Sequence, residues 1–208
     1  MVTAPGGTTG IKRGNVQPER SAKGSIPALR QLLLLRHAKS LWDDPKLSDH
    51  ARPLNARGRA SARSMRAAMH ELGLSPDLVL VSSARRTLQT LESLLPWDDA
   101  PLIEPMDALY LASASAMLDV LHDVAETVRS VLLIGHNPGL HELAMTLVGA
   151  QAYAQATGAD VEMLARLAEG YPTGALAEFS LTGPWGTLGE GGGRMLRFLA
   201  PRDLPDGR

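Results

Sequence analysis

At 208 residues with 44% hydrophobic side chains, the chain suits one domain with a sizeable core, plus tails. A formal charge of −1 leaves no global electrostatic case for binding nucleic acid or an anionic membrane. The lack of cysteine excludes disulfides, thiolate catalysis and thiolate-ligated metals, and agrees with a reducing compartment.

Residues 1–28 are rich in Gly, Pro, Ser, Thr and charge without apolar periodicity, which predicts a disordered N-terminal lead. They open with Val2, Thr3, Ala4, Pro5 and two glycines rather than a basic-then-apolar signal, and no stretch has the apolar length of a membrane span. The expected location is cytoplasmic. Leu32 to Leu35 then form a short apolar run of the kind buried on both faces of a parallel sheet, and it stops abruptly at Arg36 and His37. Trp42 to His50 reads as a polar loop. Asn55 is placed as the N-cap of a helix with stripe Ala62, Met65, Met69 and Leu72, ended by Gly73. A second strand over 77–81 runs into Ser82-Ser83-Ala84-Arg85-Arg86, and the next helix turns Leu88, Leu91 and Leu95 inward. Residues 96–105 form a connection with a short strand near Leu102-Ile103. Ser113 caps a third helix with stripe Met117, Leu121, Val124 and Val128.

The strand Val131 to Ile134 ends in Gly135-His136-Asn137-Pro138, with Asn137 as N-cap and Pro138 opening a helix that buries Leu140, Leu143, Ala144 and Leu147. Residues 151–170 are Ala-rich and partly helical. Two late strands, 175–181 and 195–199, flank a glycine-rich turn at 189–193, which no helix start follows and which is therefore no phosphate loop. Alternation of strand and helix predicts one α/β domain over 29–204, with a mainly parallel central sheet flanked by helices and a tail at 205–208.

Ligands of open α/β sheets bind at the carboxyl ends of the strands. Three strand ends there deliver Arg36 and His37, Ser82 and Arg86, and His136. Two guanidinium forks, two imidazoles and a helix start suit a phosphoryl dianion. A neutral imidazole in such a cage can attack phosphorus, and the arginines supply the charge a metal would otherwise bring. Arg85, His50, His70, His122 and His141 read as surface residues, and no zinc-type His pair is spaced for a helix. Asp49 and Arg52 either shape the pocket mouth or pair with each other; Lys39 and Ser40 either touch substrate or are solvated.

Arg36-His37-Ala38, Ser82…Arg86…Gln89-Thr90 and Gly135-His136 resemble, in order, the signatures of the histidine phosphatase superfamily (phosphoglycerate mutase-like). The segments Arg36 to Ser40, Asp49 to Gly58, Gly135 to Leu140, Pro172 to Ala175 and Trp185 are similar to its SixA-like phosphohistidine phosphatase branch, over roughly residues 30–204. The resemblance implies a three-layer α/β/α sandwich and a metal-independent, cofactor-free phosphatase. In it His37 becomes phosphohistidine, and Arg36, Arg86 and His136 line the phosphate pocket. Asn137, Ser40 and Arg52 are further candidates for holding phosphate or substrate. Asp107 is the candidate proton donor, with Glu104 second. Ala38 replaces the usual glycine. The expected substrate is a phosphorylated protein histidine or a small phosphorylated compound; the short stretch between Arg86 and His136 leaves little room for a helical lid, which favours an open site accepting a protein surface over a mutase reaction. The alternative is a phosphate-sensing or protein-binding module that kept the pocket without turnover.

Overall fold

A computed structural model describes residues 1–3, 29–42 and 45–205. The expected N-terminal lead therefore lies almost wholly outside the described residues, as does most of the C-terminal tail. The elements run β1 (Arg30–Arg36), α1 (Ala56–Glu71), β2 (Leu78–Ser82), α2 (Arg85–Leu94), β3 (Leu102–Met106), α3 (Ala114–His122), β4 (Ser130–Gly135), α4 (Gly139–Gln155), α5 (Ala159–Glu169), β5 (Leu176–Leu181) and β6 (Gly193–Leu199).

The strands form one sheet in the order β3-β2-β4-β1-β5-β6. The pairs β3–β2, β2–β4 and β4–β1 are parallel, whereas β5 is antiparallel to both β1 and β6. The inner parallel strands β1, β2 and β4 are buried on both faces, which is why they read as apolar runs, whereas the edge strand β3 is largely exposed. Leu32, Leu34, Val131 and Leu133 point to one face, where Met117 of α3, Leu140 and Leu147 of α4, and Leu164 of α5 cover them. Leu33, Leu35, Leu132 and Ile134 point to the other face, against Met65 and Met69 of α1 and Leu91 and Leu94 of α2. Each such buried side chain contributes roughly 1.5–3 kcal/mol relative to exposure. The result is the three-layer α/β/α sandwich.

Helix ends differ from the sequence expectations where tertiary contacts decide them. Asn55 caps α1, its Oδ1 accepting from Gly58 N at 2.7 Å, and Gly73 follows with φ +66°. Leu72 is the C-cap and largely exposed, so the stripe stops at Met69. In α2 the buried leucine is Leu94 rather than Leu95. α3 ends at His122, leaving Val124 and Val128 beyond it, although both still pack on the core. Asn137 does not cap α4: the helix starts at Gly139 with Pro138 before it, and the Asn137 amide turns elsewhere.

This topology positions the site. From β1 the chain leaves to α1 on one face of the sheet, and from the adjacent β4 it leaves to α4 on the other. The carboxyl ends of β1 and β4 thus flank the crevice where strand order switches, the place such sheets reserve for ligands. Two glycines allow the close approaches around it. A Cβ on Gly58 would lie 2.0 Å from Lys39 O, and one on Gly139 would lie 2.0 Å from Ala112 O.

Candidate active site

Register brings the two histidines together. Arg36 of β1 pairs with Gly135 of β4, and His37 N donates to Gly135 O at 3.1 Å. The residues that follow, His37 and His136, are side by side with ring centroids 5.1 Å apart. On the other flank of β4 lies β2, whose last residue is Ser82. After two intervening residues α2 begins, and Arg86 sits in its first turn.

Hydrogen bonds assign the tautomers. His37 Nδ1 lies 2.8 Å from Ala38 O, a pure acceptor, so Nδ1 carries the proton and the Nε2 lone pair is free. Arg86 Nη2 donates to His136 Nδ1 at 3.2 Å, so the His136 proton resides on Nε2 and is donated to Ser82 Oγ at 2.7 Å. Burial lowers the His37 pKa to about 4, aided by the positive charges of Arg86, Arg36 and Arg52 and partly offset by the bond to Ala38 O. Burial likewise lowers His136 to about 3, with His37 and Arg86 adding to the effect. Both rings are therefore neutral at neutral pH.

The cations are held from behind. Arg36 Nη1 donates to Tyr171 O at 2.7 Å, and its Nε is buried without a hydrogen-bond partner among the described residues. Burial and the nearby Arg86 lower the Arg36 pKa from its usual value. Asn137 Nδ2 donates to the same Tyr171 O at 3.0 Å, which explains why it does not cap α4. Thr90 Oγ1 accepts from Ala38 N and donates to Arg86 O, and Gln89 Oε1 accepts from Leu54 N. The Gln89-Thr90 pair thus ties α2 to the segments that follow β1.

Asp49 is the carboxylate at this cluster. Its Oδ2 accepts from Arg86 Nη2 at 3.0 Å and from Tyr110 Oη at 2.7 Å; its Oδ1 accepts from Arg52 Nη1 at 2.7 Å. Burial opposes its ionisation, but the bonds from Tyr110, Arg52 and Arg86 outweigh that and hold its pKa at about 2. Arg52 also donates through Nε to Leu41 O and through Nη2 to Ser40 Oγ, while its guanidinium carbon lies 3.3 Å from the centroid of the Trp42 ring. Of the two readings left open for Asp49 and Arg52, the geometry joins both, since their pair also meets Arg86.

Sequence reasoning missed Tyr110, whose ring meets His136 edge-on at 5.7 Å and His50 at 4.8 Å. Its hydroxyl reaches Asp49 across 61 positions, a pairing with no local signal. His50 is not merely solvated, because its Nε2 lies 3.0 Å from Ser83 Oγ. His122 and His141 are half-buried, each bonding through Nε2 a distant backbone carbonyl, Leu188 O and Leu167 O respectively. Asp107 stands on a short 3₁₀ turn directly after β3, exposed, at the same edge of the sheet. Glu104 lies within β3, paired in register with Leu80 and further from that edge. A cavity of about 630 Å³ opens elsewhere, between the last turns of α1 and residues 94–99, with none of these side chains in its wall.

A family model for the histidine phosphatase superfamily (branch 1) matches residues 32–108, the span from β1 to the 3₁₀ turn after β3. An uncharacterized protein of Mycobacterium tuberculosis is 31% identical over 168 residues, which cover 81% of this chain and 100% of that one. Two solved structures assigned as SixA phosphohistidine phosphatases share the fold. The one from Agrobacterium tumefaciens has 30% identity and a TM-score of 0.68, over 83% of this chain and 98% of that one. The one from Nakamurella multipartitia has 26% identity and a TM-score of 0.69, over 83% and 96%. With motifs, fold and full-length relatives in agreement, the chain belongs to the histidine phosphatase superfamily, in its SixA-like branch.

Proposed function

We propose that this phosphatase works without a metal through a phosphohistidine on His37, acting on a phosphorylated protein histidine or a small phosphorylated compound. The observation that carries the reading is the free Nε2 of His37, left unprotonated by the Nδ1 bond to Ala38 O and set beside His136 and Arg86. In the first step the Nε2 lone pair attacks phosphorus. The bond from phosphorus to the leaving oxygen or nitrogen breaks with its electron pair, and the leaving group takes a proton. In the second step water attacks the phosphorus of phospho-His37. The P–N bond breaks, its electrons return to Nε2, and inorganic phosphate leaves.

Fixed positive charge supplies most of the acceleration. Arg36 and Arg86 face the equatorial oxygens; the Arg86 donor on Nδ1 keeps the buried His136 ring neutral, and Ser82 at its Nε2–H orients it. The buried Arg36 Nε, without a hydrogen-bond partner among the described residues, is a donor suited to a phosphoryl oxygen. Asn137 supports the cage through Tyr171 O, and Ser40 and Arg52 hold its rim. For an ester substrate Asp107 is the acid; a phosphoramidate nitrogen is readily protonated and needs less help.

The test is hydrolysis of phosphohistidine and p-nitrophenyl phosphate in EDTA, wild type beside His37→Ala. Turnover that vanishes in the variant supports the proposal. A wild type inert on every phospho-donor, yet binding inorganic phosphate, would make the chain a binding module instead.

A further inference from the structure

Asp49 stands in the way of the job assigned to Arg86. Arg86 Nη1 donates to Asp49 O at 2.6 Å, and Nη2 donates both to Asp49 Oδ2 at 3.0 Å and to His136 Nδ1 at 3.2 Å. A guanidinium has five N–H groups and grips a phosphoryl group best with two parallel ones from one edge. Its end-on edge uses Nη1 with Nη2, and its side-on edge uses Nε with Nη2. With both Nη2 protons engaged, neither edge has a free pair. One of the two Nη2 acceptors must leave before Nη2 can donate to phosphate.

The acceptor able to leave is Asp49. His136 is 1% exposed and fixed at the end of β4. The Asp49 side chain is 43% exposed and stands on an irregular turn segment. Its other oxygen is held by Arg52, so the carboxylate can release the Nη2 proton of Arg86 by pivoting on that pair, while the Asp49 backbone oxygen stays on Nη1. We propose that Asp49 is an internal counter-anion of the phosphate arginine, displaced by the incoming phosphoryl group and restored to Arg86 when inorganic phosphate departs. In the empty site it holds the guanidinium in position and balances its charge. After hydrolysis the same carboxylate competes with product and speeds its release. Competition of this kind weakens apparent affinity by the fraction of sites in which the arginine is free.

The inference rests on Arg86 being a phosphate ligand, and the experiment separates the two. Inorganic phosphate is titrated calorimetrically into wild type, Asp49→Asn, Tyr110→Phe and Arg86→Ala at pH 7.5. A purely structural role for Asp49 predicts weaker binding in Asp49→Asn, because Arg86 and Arg52 lose their anchor. The counter-anion role predicts tighter binding, by up to about fivefold, the affinity equivalent of one modest, partly exposed ion pair. Unchanged or weaker binding overturns it. If Asp49→Asn fails to fold by circular dichroism, Tyr110→Phe decides. That variant keeps the carboxylate and both arginines but removes one bond holding Asp49 in place, so phosphate binding should tighten a few-fold, and no tightening overturns the proposal. Wild-type binding lost in Arg86→Ala, without tightening in the deciding variant, rejects the counter-anion alone. Wild-type binding that survives Arg86→Ala rejects the phosphate role of Arg86 and this inference with it.

Discussion

Replacing Arg86 by alanine removes three things at once: a buried positive charge, the donor that sets the His136 tautomer, and a partner of Asp49. The residue is 3% exposed, so water cannot take over its role without entering the cage. Removing one preorganised donor from a site of developing negative charge typically costs about 10²–10³ in kcat, or roughly 2.7–4 kcal/mol. Arg86→Ala is therefore expected to lower kcat/KM by about 10²–10³-fold on that scale. Arg86→Lys keeps the charge but cannot form the planar fork, and should fall between the two. The assay is steady-state hydrolysis of p-nitrophenyl phosphate, with far-ultraviolet circular dichroism and thermal melts on each variant. An Arg86→Ala protein that is folded and within threefold of wild type in kcat/KM would refute the reasoning.

Two further outcomes follow from the histidines. His37 titrates near 4 in the folded chain and near 6.5 when exposed, so the unfolded chain binds its proton first as pH falls. The stability associated with neutral His37 is complete above pH 6.5 and is lost as pH drops toward 4; between pH 7.5 and 5 the loss is about 2 kcal/mol. Urea unfolding at the two pH values should show that much less acid sensitivity in His37→Asn, and equal sensitivity in both proteins would contradict it. Ser82→Ala leaves the His136 Nε2–H buried without its acceptor, at a cost of about 1–3 kcal/mol in stability. It should also lower kcat while leaving phosphate binding largely intact, as shown by kinetics beside calorimetry. A variant with wild-type kcat would remove Ser82 from the mechanism.

The edge carrying the candidate site was legible because burial on both faces forces a distinctive pattern. Leu32 to Leu35 and Val131 to Ile134 can be continuous apolar runs only inside the sheet, so the polar residues ending them had to emerge together. The Gln89-Thr90 spacing told Arg86 from Arg85 because one helical face must turn toward β1. What stayed hidden depends on contacts between distant segments. Asn137 has a cap-forming side chain and a proline after it, yet Tyr171 O, 34 positions away, attracts its amide. Periodicity carried the α3 stripe on to Val124 and Val128 because the first is buried and the second partly buried against the same core, although the chain there is no longer helical. Asp49 and Tyr110 come from an irregular turn and the end of a 3₁₀ turn, where no period exists to show which way a side chain points. Two backbone carbonyls, Leu188 O and Leu167 O, likewise draw in His122 and His141, which look solvent-facing by residue type alone.

In the proposed mechanism the His37 Nε2 atom itself accepts the phosphoryl group. Rapid acid-free quenching during turnover of a ³²P-labelled phospho-donor, followed by peptide mapping, tests it directly. The expected result is phosphate that is acid-labile and alkali-stable, attached to His37, formed and lost at rates compatible with kcat, and missing from His37→Ala. Wild-type turnover with no label on the protein, or with label on any other side chain, would contradict it.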